Sequence, residues 1–158
     1  ASGSASEVLE IAQRAAASGI QVAVAAGAAR RFERAIAALA NRSGLVRLFG
    51  AEVAASELVS VGDAVVSRAG ATALYEALSL QAPVIIYNPI PGQERFNVDY
   101  LVNCGAAMLA RDGEDACEKL RYLSTHPERL VEMAAHAGSL GKTDATRTIC
   151  ERVLAFTT

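Results

Sequence analysis

Short apolar runs along the chain are each followed by a turn and then by a segment with helical periodicity. Two of these runs, residues 64–67 and 83–87, have the length and composition of strands that are buried on both faces of a parallel sheet. Similar runs predict further strands at residues 20–26, 45–49 and 106–110. Each of the two central strands is followed by a predicted helix, and apolar periodicity predicts the other helices at residues 7–18, 29–40, 56–61, 113–125, 127–140 and 144–156.

This alternation of strands and helices is typical of an α/β fold, namely a Rossmann-like parallel sheet with helices on both faces. The length of 158 residues predicts one domain that spans residues 1–158. The chain opens on small Gly and Ser residues that lead directly into a predicted helix, and such a loop normally follows a strand. We therefore expect that a first strand, and with it an N-terminal domain, is missing from this chain.

Composition and charge exclude several classes of function. With 52% hydrophobic residues, 20% charged residues and a formal net charge of −2, the chain matches neither disordered nor nucleic-acid-binding proteins. The cysteines are widely spaced and predict reduced thiols in a cytosolic protein, without metal-ligand spacing: Cys104, Cys117 and Cys150. His126 and His136 fall in the C-terminal helical region, away from the turns that follow the two central strands, so we predict surface or packing roles for both.

The turn after the first central strand has the groups of an anion site. Gly70 lies where a strand must turn sharply into a helix, a position that favours a residue tolerant of positive φ and of close approach. The amides of Ala71, Thr72 and Ala73 would be unpaired at the helix N-terminus, which attracts anions. Glu76, one turn deeper on the same face, can accept hydrogen bonds from a vicinal diol. Together these groups suit a ribose phosphate, and the alternative of a simple cap and a solvated glutamate stays open.

The turn after the second central strand has groups that suit a sugar. Proline and glycine at positions 89, 91 and 92 define the start of a helix that is predicted to open with Gln93. Asn97 follows four residues later and is predicted to share one helical face with Gln93. Neutral amides offer both donors and acceptors, as hydroxyl recognition requires. A capping role for Gln93 and a solvated Asn97 form the open alternative.

Three motifs give the chain a resemblance to a known family. They are G-x-T-x-x-x-E at residues 70–76, P-x-I-x-Y-x-P-x-P-G-Q-E-x-x-N-V-x-Y-L at residues 83–101, and G-A-A at residues 105–107. Together they resemble the C-terminal half of GT-B glycosyltransferases. The similar branch contains bacterial lipid II N-acetylglucosaminyltransferase, plant monogalactosyldiacylglycerol synthase and bacterial diacylglycerol glucosyltransferases. The resemblance is close over residues 63–107, and its P-G-Q-E-x-x-N element favours the glycolipid synthases.

The resemblance implies a domain that binds a nucleotide sugar, usually a UDP-sugar. Ten residues of this chain fall on donor contacts of the family: Gly3 and Ser4 at the diphosphate, Gly50 and Ala51 at the base, Gly70, Ala71 and Thr72 at phosphate, Glu76 at the ribose, and Gln93 and Asn97 at the transferred sugar. Family members often carry a large apolar residue beside the base, whereas Ala51 is small. That difference leaves the base selectivity open.

The mechanism implied by the resemblance is an inverting transfer by in-line displacement at the anomeric carbon. The donor domain would stabilise charge on the leaving diphosphate through helix N-termini and hydroxyls, with Arg68 or Arg95 as candidate cations. The chain contains no D-x-D motif, so we expect no metal site and no cofactor besides the UDP-sugar substrate. In the family the catalytic base belongs to the N-terminal acceptor domain. We therefore predict no catalytic residue here and an inactive isolated chain.

Other functions remain open at this stage. The chain could be a stand-alone nucleotide-sugar-binding subunit that docks on a membrane-bound partner, a domain like nucleotide-sugar epimerases, or another α/β binding protein. As a donor half, its expected partners are a nucleotide sugar, an N-terminal acceptor domain or separate membrane-bound subunit, and a lipid acceptor, with no nucleic acid. The expected location is the cytoplasm, at the inner face of the membrane in the intact protein.

Overall fold

The computed structural model describes residues 2–25 and 30–156, with the side chains of residues 6–25 and 32–156. Strands and helices alternate over these ranges as the sequence predicts. The strands are β1 Val22–Ala25, β2 Val46–Phe49, β3 Val65–Ser67, β4 Val84–Tyr87 and β5 Ala107–Ala110. The helices are α1 Ser2–Ala17, α2 Arg30–Arg42, α3 Ala55–Val61, α4 Ala71–Ser79, α5 Arg95–Asn103, α6 Gly113–Thr125, α7 Pro127–Leu140 and α8 Ala145–Ala155.

All strand pairs described are parallel, which confirms the predicted α/β class. The strands form two sheets, one with the order β1-β2 and one with the order β3-β4-β5. The sequence predicted a single sheet, and the structure differs because no hydrogen bonds join β1 to β3 within the described residues.

The centre of the three-stranded sheet is strand β4. All four of its residues are buried, as the near-continuous apolar run predicted. Val84 and Ile86 pack into one core with α4, α5 and α7, whereas Ile85 and Tyr87 pack on the opposite face with α1 and α6. Helices therefore cover both faces of this sheet. Burial of each such side chain stabilises the fold by about 1.5–3 kcal/mol.

Helix α1 connects the two sheets through its apolar side. Ile11 is buried in the core beneath the three-stranded sheet, together with Ile85. Ala12 and Ala16 are buried in a separate core with Val24 of β1. The small alanine side chains let α1 lie close to the two-stranded sheet, while the larger isoleucine reaches the other. One helix thereby holds both sheets together.

Two helix boundaries differ from the predictions, and both differences affect the candidate site. Helix α1 begins at Ser2 instead of residue 7, so Gly3 and Ser4 lie in its first turn and not in a loop. Helix α5 begins at Arg95. Gly92 precedes it with a φ of +78°, which is incompatible with a right-handed helix. Within the described residues, no helix is long and apolar enough to cross a membrane.

Candidate functional site

The two central strands end side by side at one edge of their sheet. Val65 pairs in register with Val84, and Ser67 with Ile86, so the turns that follow β3 and β4 leave the sheet together. The amide Nδ2 of Asn97, at the start of α5, lies 3.3 Å from the carbonyl oxygen of Ala69 and donates a hydrogen bond to it. The structure therefore joins the two turns that the sequence predicted to form one site.

The N-terminus of α4 is open. Its N-cap residue is Gly70, which has no side chain to cap the helix, and the first turn contains no acidic residue. Ala71, Thr72 and Ala73 are all exposed. Backbone amides at such an end have no intrahelical partner, and the helix dipole gives this end a partial positive charge. This arrangement binds phosphate.

The prediction of a positive φ at Gly70 is wrong. Gly70 has a φ of −62° and a ψ of 125°, an extended conformation that any residue adopts. A Cβ built on Gly70 would meet no atom within 4 Å. The space over the helix N-terminus is therefore open, and with glycine at this position a ligand can approach the backbone closely.

Glu76 lies one turn deeper along α4, as predicted. Its side chain is half-buried, and it forms no hydrogen bond or ion pair with the described residues. A carboxylate beside an open helix N-terminus, without a protein partner, retains its full capacity to accept hydrogen bonds. This arrangement is compatible with the predicted role as an acceptor for diol hydroxyls.

A local hydrogen-bond pair, and not a helix, holds the second turn. The backbone amide of Ile90 donates to Glu94 Oε2 at 2.7 Å, and the Glu94 amide donates to the Ile90 carbonyl at 3.1 Å. Gln93 lies in this turn and is exposed, while Asn97 lies in α5 and is half-buried. The prediction that Gln93 and Asn97 share one helical face is therefore wrong, because Gly92 delays the helix until after Gln93.

Helix α1 also reaches this edge of the sheet, through contacts that the sequence did not indicate. Asn88, directly after β4, adopts a φ of 43° and donates from Nδ2 to both carboxylate oxygens of Glu7, at 2.9 and 3.0 Å. Asparagine tolerates this left-handed conformation better than most residues, which is a local signal for its place in a turn. The bond brings the N-terminal half of α1, which contains Gly3 and Ser4, toward the end of β4; their side chains lie outside the described residues.

Arg68 and Tyr87 complete the groups at this edge. Arg68 directly follows β3, and its Nε is buried without a hydrogen-bond partner among the described residues. Tyr87 ends β4; burial raises the pKa of its hydroxyl, the Glu7 carboxylate raises that pKa further, and the Arg68 guanidinium opposes the shift. Arg68, Glu7 and Tyr87 therefore lie near one another on the side of the sheet that α1 covers.

The predicted base-binding residues lie in a turn at the end of the two-stranded sheet. Gly50 and Ala51 follow β2, where the Gly50 amide donates to Glu52 Oε1 at 3.0 Å and Ala51 is exposed. No hydrogen bond joins this turn to α4 within the described residues. Helix α3, which follows the turn along the chain, contacts α4. Contact of Gly50 and Ala51 with a base therefore stays a prediction.

The histidines have the packing and surface positions predicted for them. The His126 ring stacks on Tyr122 with ring centroids 4.2 Å apart, and His136 is exposed on α7. In the part of the chain that the structure describes, no three His, Cys, Asp or Glu side chains are grouped closely enough to hold a metal ion.

Comparisons with known proteins place the chain in a family. Residues 5–149 match the model of the glycosyltransferase family 28 C-terminal domain. A processive diacylglycerol beta-glucosyltransferase of Bacillus cytotoxicus is 31% identical over 136 residues, which are 85% of this chain and 35% of that protein. The corresponding protein of Bacillus pumilus is 35% identical over 98 residues, 62% of this chain and 26% of its own length. The chain thus spans about a third of the length of such relatives.

A solved structure supports the fold. The crystal structure of Acinetobacter baumannii MurG is similar with a TM-score of 0.69 at 17% sequence identity, and the match covers 92% of this chain and 46% of that one. The parallel α/β architecture is therefore shared with the MurG structure. The family match covers most of the chain, and the chain belongs to glycosyltransferase family 28, whose C-terminal domain it matches.

Proposed function

We propose that this chain is the donor-binding half of an inverting glycosyltransferase that moves a sugar from a UDP-sugar to a lipid-type acceptor. The observation that carries the proposal is the pair of joined turns, in which an uncapped helix N-terminus lies beside Glu76, a carboxylate without a partner among the described residues. Phosphate favours the first group and ribose hydroxyls the second. The names of the relatives, which are diacylglycerol glucosyltransferases, support transfer to a lipid.

The parts of the ligand are assigned to separate elements. The amides of Gly70, Ala71 and Thr72 bind phosphate, and Glu76 accepts hydrogen bonds from the ribose. Gln93 and Asn97 contact the transferred sugar from the second turn, Gln93 through its exposed amide and Asn97 through the amide oxygen left free by its bond to the backbone. The start of α1, with Gly3 and Ser4, faces the diphosphate, and the turn at Gly50 and Ala51 receives the base.

The acceptor site and the catalytic base belong, in this proposal, to an N-terminal domain or a separate membrane-bound subunit. The relatives are about three times as long as the matched segment, which leaves room for such a domain. The intact protein would work at the inner face of the membrane, where a lipid acceptor is available. The proposed transfer uses no cofactor other than the UDP-sugar substrate.

Thermal unfolding with a panel of nucleotides and nucleotide sugars tests the proposal. A ligand that binds only the folded state stabilises it by about 2.7 kcal/mol at a hundredfold excess over its dissociation constant. We expect UDP and UDP-sugars to raise the melting temperature more than ADP or GDP do. A cooperatively folded sample whose melting temperature responds to none of these compounds would contradict the proposal.

Assay of sugar transfer tests the division of labour between the two halves. We expect no transfer to a diacylglycerol acceptor by the purified 158-residue chain alone, and transfer when an N-terminal half of a relative is supplied. Transfer by the chain alone would show that it contains its own acceptor site and base.

A further inference from the structure

Arg68 is a half-buried cation directly after β3. Its Nε is buried and without a partner, and the described residues form no ion pair with its guanidinium. A buried donor left unpaired destabilises a protein, and a charged one does so more strongly, so such groups in folded proteins call for an explanation. A ligand that supplies the missing acceptor is one such explanation.

The surroundings of Arg68 favour an anion over a neutral ligand. The Glu7 carboxylate, which like Arg68 acts on Tyr87, accepts two hydrogen bonds from Asn88. Arg68 lies at the strand end that leads into α4, on the side of the sheet that α1 covers, and neither α1 nor α4 has an acidic residue in its first turn. The positive ends of two helices and a guanidinium therefore face the same edge of the sheet.

We propose that Arg68 binds the diphosphate of the nucleotide sugar, an inference that rests on the function proposed above. A guanidinium presents several N–H donors in a planar fork that matches the oxygens of phosphate. Arg95, the other candidate, is less suited because its side chain is 77% exposed and pairs with Asp99 at 3.4 Å. The Nε of Arg68 would gain in the complex the acceptor that it lacks in the described structure.

Calorimetric titration of three ligands separates the contribution of Arg68 from that of the rest of the site. UDP, uridine and inorganic pyrophosphate are titrated into the wild-type chain and into Arg68→Gln, Arg68→Lys and Arg95→Gln. We expect Arg68→Gln to weaken UDP and pyrophosphate binding by about tenfold or more and to leave uridine binding unchanged. Arg68→Lys should lie between wild type and Arg68→Gln, because a point charge remains without the fork. Arg95→Gln should match wild type.

Each outcome decides between the two proposals. UDP affinities that are equal in wild type and folded Arg68→Gln would overturn the role of Arg68 and leave the donor-site proposal intact. A wild-type chain that binds pyrophosphate but not UDP or uridine would overturn the nucleotide proposal, and the pyrophosphate titration would still decide the role of Arg68. If Arg68→Gln does not show a cooperative melting transition, Arg68→Lys decides: unchanged affinities for UDP and pyrophosphate would contradict the proposal.

Discussion

The side-chain amide of Asn97 donates a hydrogen bond to the backbone carbonyl of Ala69, with Nδ2 3.3 Å from the oxygen. Asn97 belongs to the helix that follows β4, and Ala69 to the turn that follows β3. The bond links the two turns at Ala69, a residue that is fully buried. The proposed phosphate and sugar contacts therefore depend on each other.

Replacing Asn97 with Ala should weaken both stability and ligand binding. Loss of this donor leaves the buried carbonyl of Ala69 without its side-chain partner, which should lower the free energy of unfolding by about 1–3 kcal/mol. UDP and UDP-sugar should both bind more weakly, because the turn at Gly70 is no longer held. Asn103→Ala, an exposed change on the same helix, is the control for chemical denaturation and calorimetry. Equal effects of the two variants would contradict the structural role of Asn97.

Replacing Glu76 with Ala should remove a contact to the ribose. We expect UDP affinity to fall by about 1.5–3 kcal/mol, the range for hydrogen bonds that involve a charged group. The fold should persist, because Glu76 is half-buried and has no protein partner among the described residues. The exposed Glu57 on α3 provides the control Glu57→Ala.

The affinity of 2′-deoxy-UDP tests the same contact from the ligand side. Wild type should prefer UDP over 2′-deoxy-UDP, and Glu76→Ala should bind the two with nearly equal affinity. A preference that survives in Glu76→Ala would assign the ribose hydroxyls to another residue.

Replacing Gln93 with Ala should separate sugar binding from nucleotide binding. Gln93 is exposed in a turn held by Ile90 and Glu94, so its loss leaves the turn intact. We expect weaker binding of UDP-sugar by about 0.5–1.5 kcal/mol per lost hydrogen bond and unchanged binding of UDP. Calorimetry with both ligands measures the difference. Equal weakening of the two would exclude a specific contact between Gln93 and the sugar.

Replacing Gly105 with Ala should destabilise the end of α5. Gly105 has a φ of 75°, and the amides of Gly105 and Ala106 each donate at 3.0 Å, to the carbonyls of Val102 and Leu101. This is a Schellman motif, which favours glycine at its left-handed position, and a Cβ there would overlap the imidazole of His136. We expect a loss of about 1–3 kcal/mol in the free energy of unfolding.

Gly44→Ala is the control for that substitution. A Cβ at Gly44 would meet nothing within 4 Å, and the backbone there is not left-handed. Its effect should be within about 1 kcal/mol and can be stabilising. Similar losses in Gly44→Ala and Gly105→Ala would show that conformational strain at Gly105 is not the cause.

The stability of the fold should depend on pH through Asp115. Asp115 is buried near the start of α6, and hydrogen bonds from Lys119 and from the backbone of Arg111 hold the pKa of its carboxyl well below the usual range. A carboxyl with a lowered folded pKa stabilises the protein above its unfolded pKa of about 3.9, and this contribution is lost as the pH falls. Asp115→Asn should therefore cost about 1–3 kcal/mol at pH 7 and progressively less below about pH 4.

Urea unfolding at several pH values measures this difference. Glu118→Gln, an exposed carboxylate on the same helix, should change the free energy of unfolding by less than about 0.5 kcal/mol at every pH. An Asp115→Asn effect that does not vary between pH 7 and pH 3 would show that packing, and not charge, gives Asp115 its role.

Elements whose cause lies within a few residues were predictable from the sequence. The bounds of α6 and α7 agree with the predicted ranges, with proline in the first turn of α7. Gly19 ends α1 as expected, with a φ of 81° and a hydrogen bond from Ile20 back to the Ala15 carbonyl. The five strands also follow from local apolar runs. Backbone propensity and apolar composition act over short stretches, so the sequence reveals the strands directly, although only β4 is buried along its whole length.

Contacts between distant residues required the tertiary structure. Asn97 and Ala69 are 28 positions apart, and Asn88 and Glu7 are 81 apart, so only the register of β3 with β4 and the packing of α1 bring them together. The composition of the turns identified Gly70, Glu76, Gln93 and Asn97 as candidates. It did not reveal that Gly92 places Gln93 before the helix, or that the Arg68 Nε has no partner among the described residues, because both depend on the path of the backbone in space.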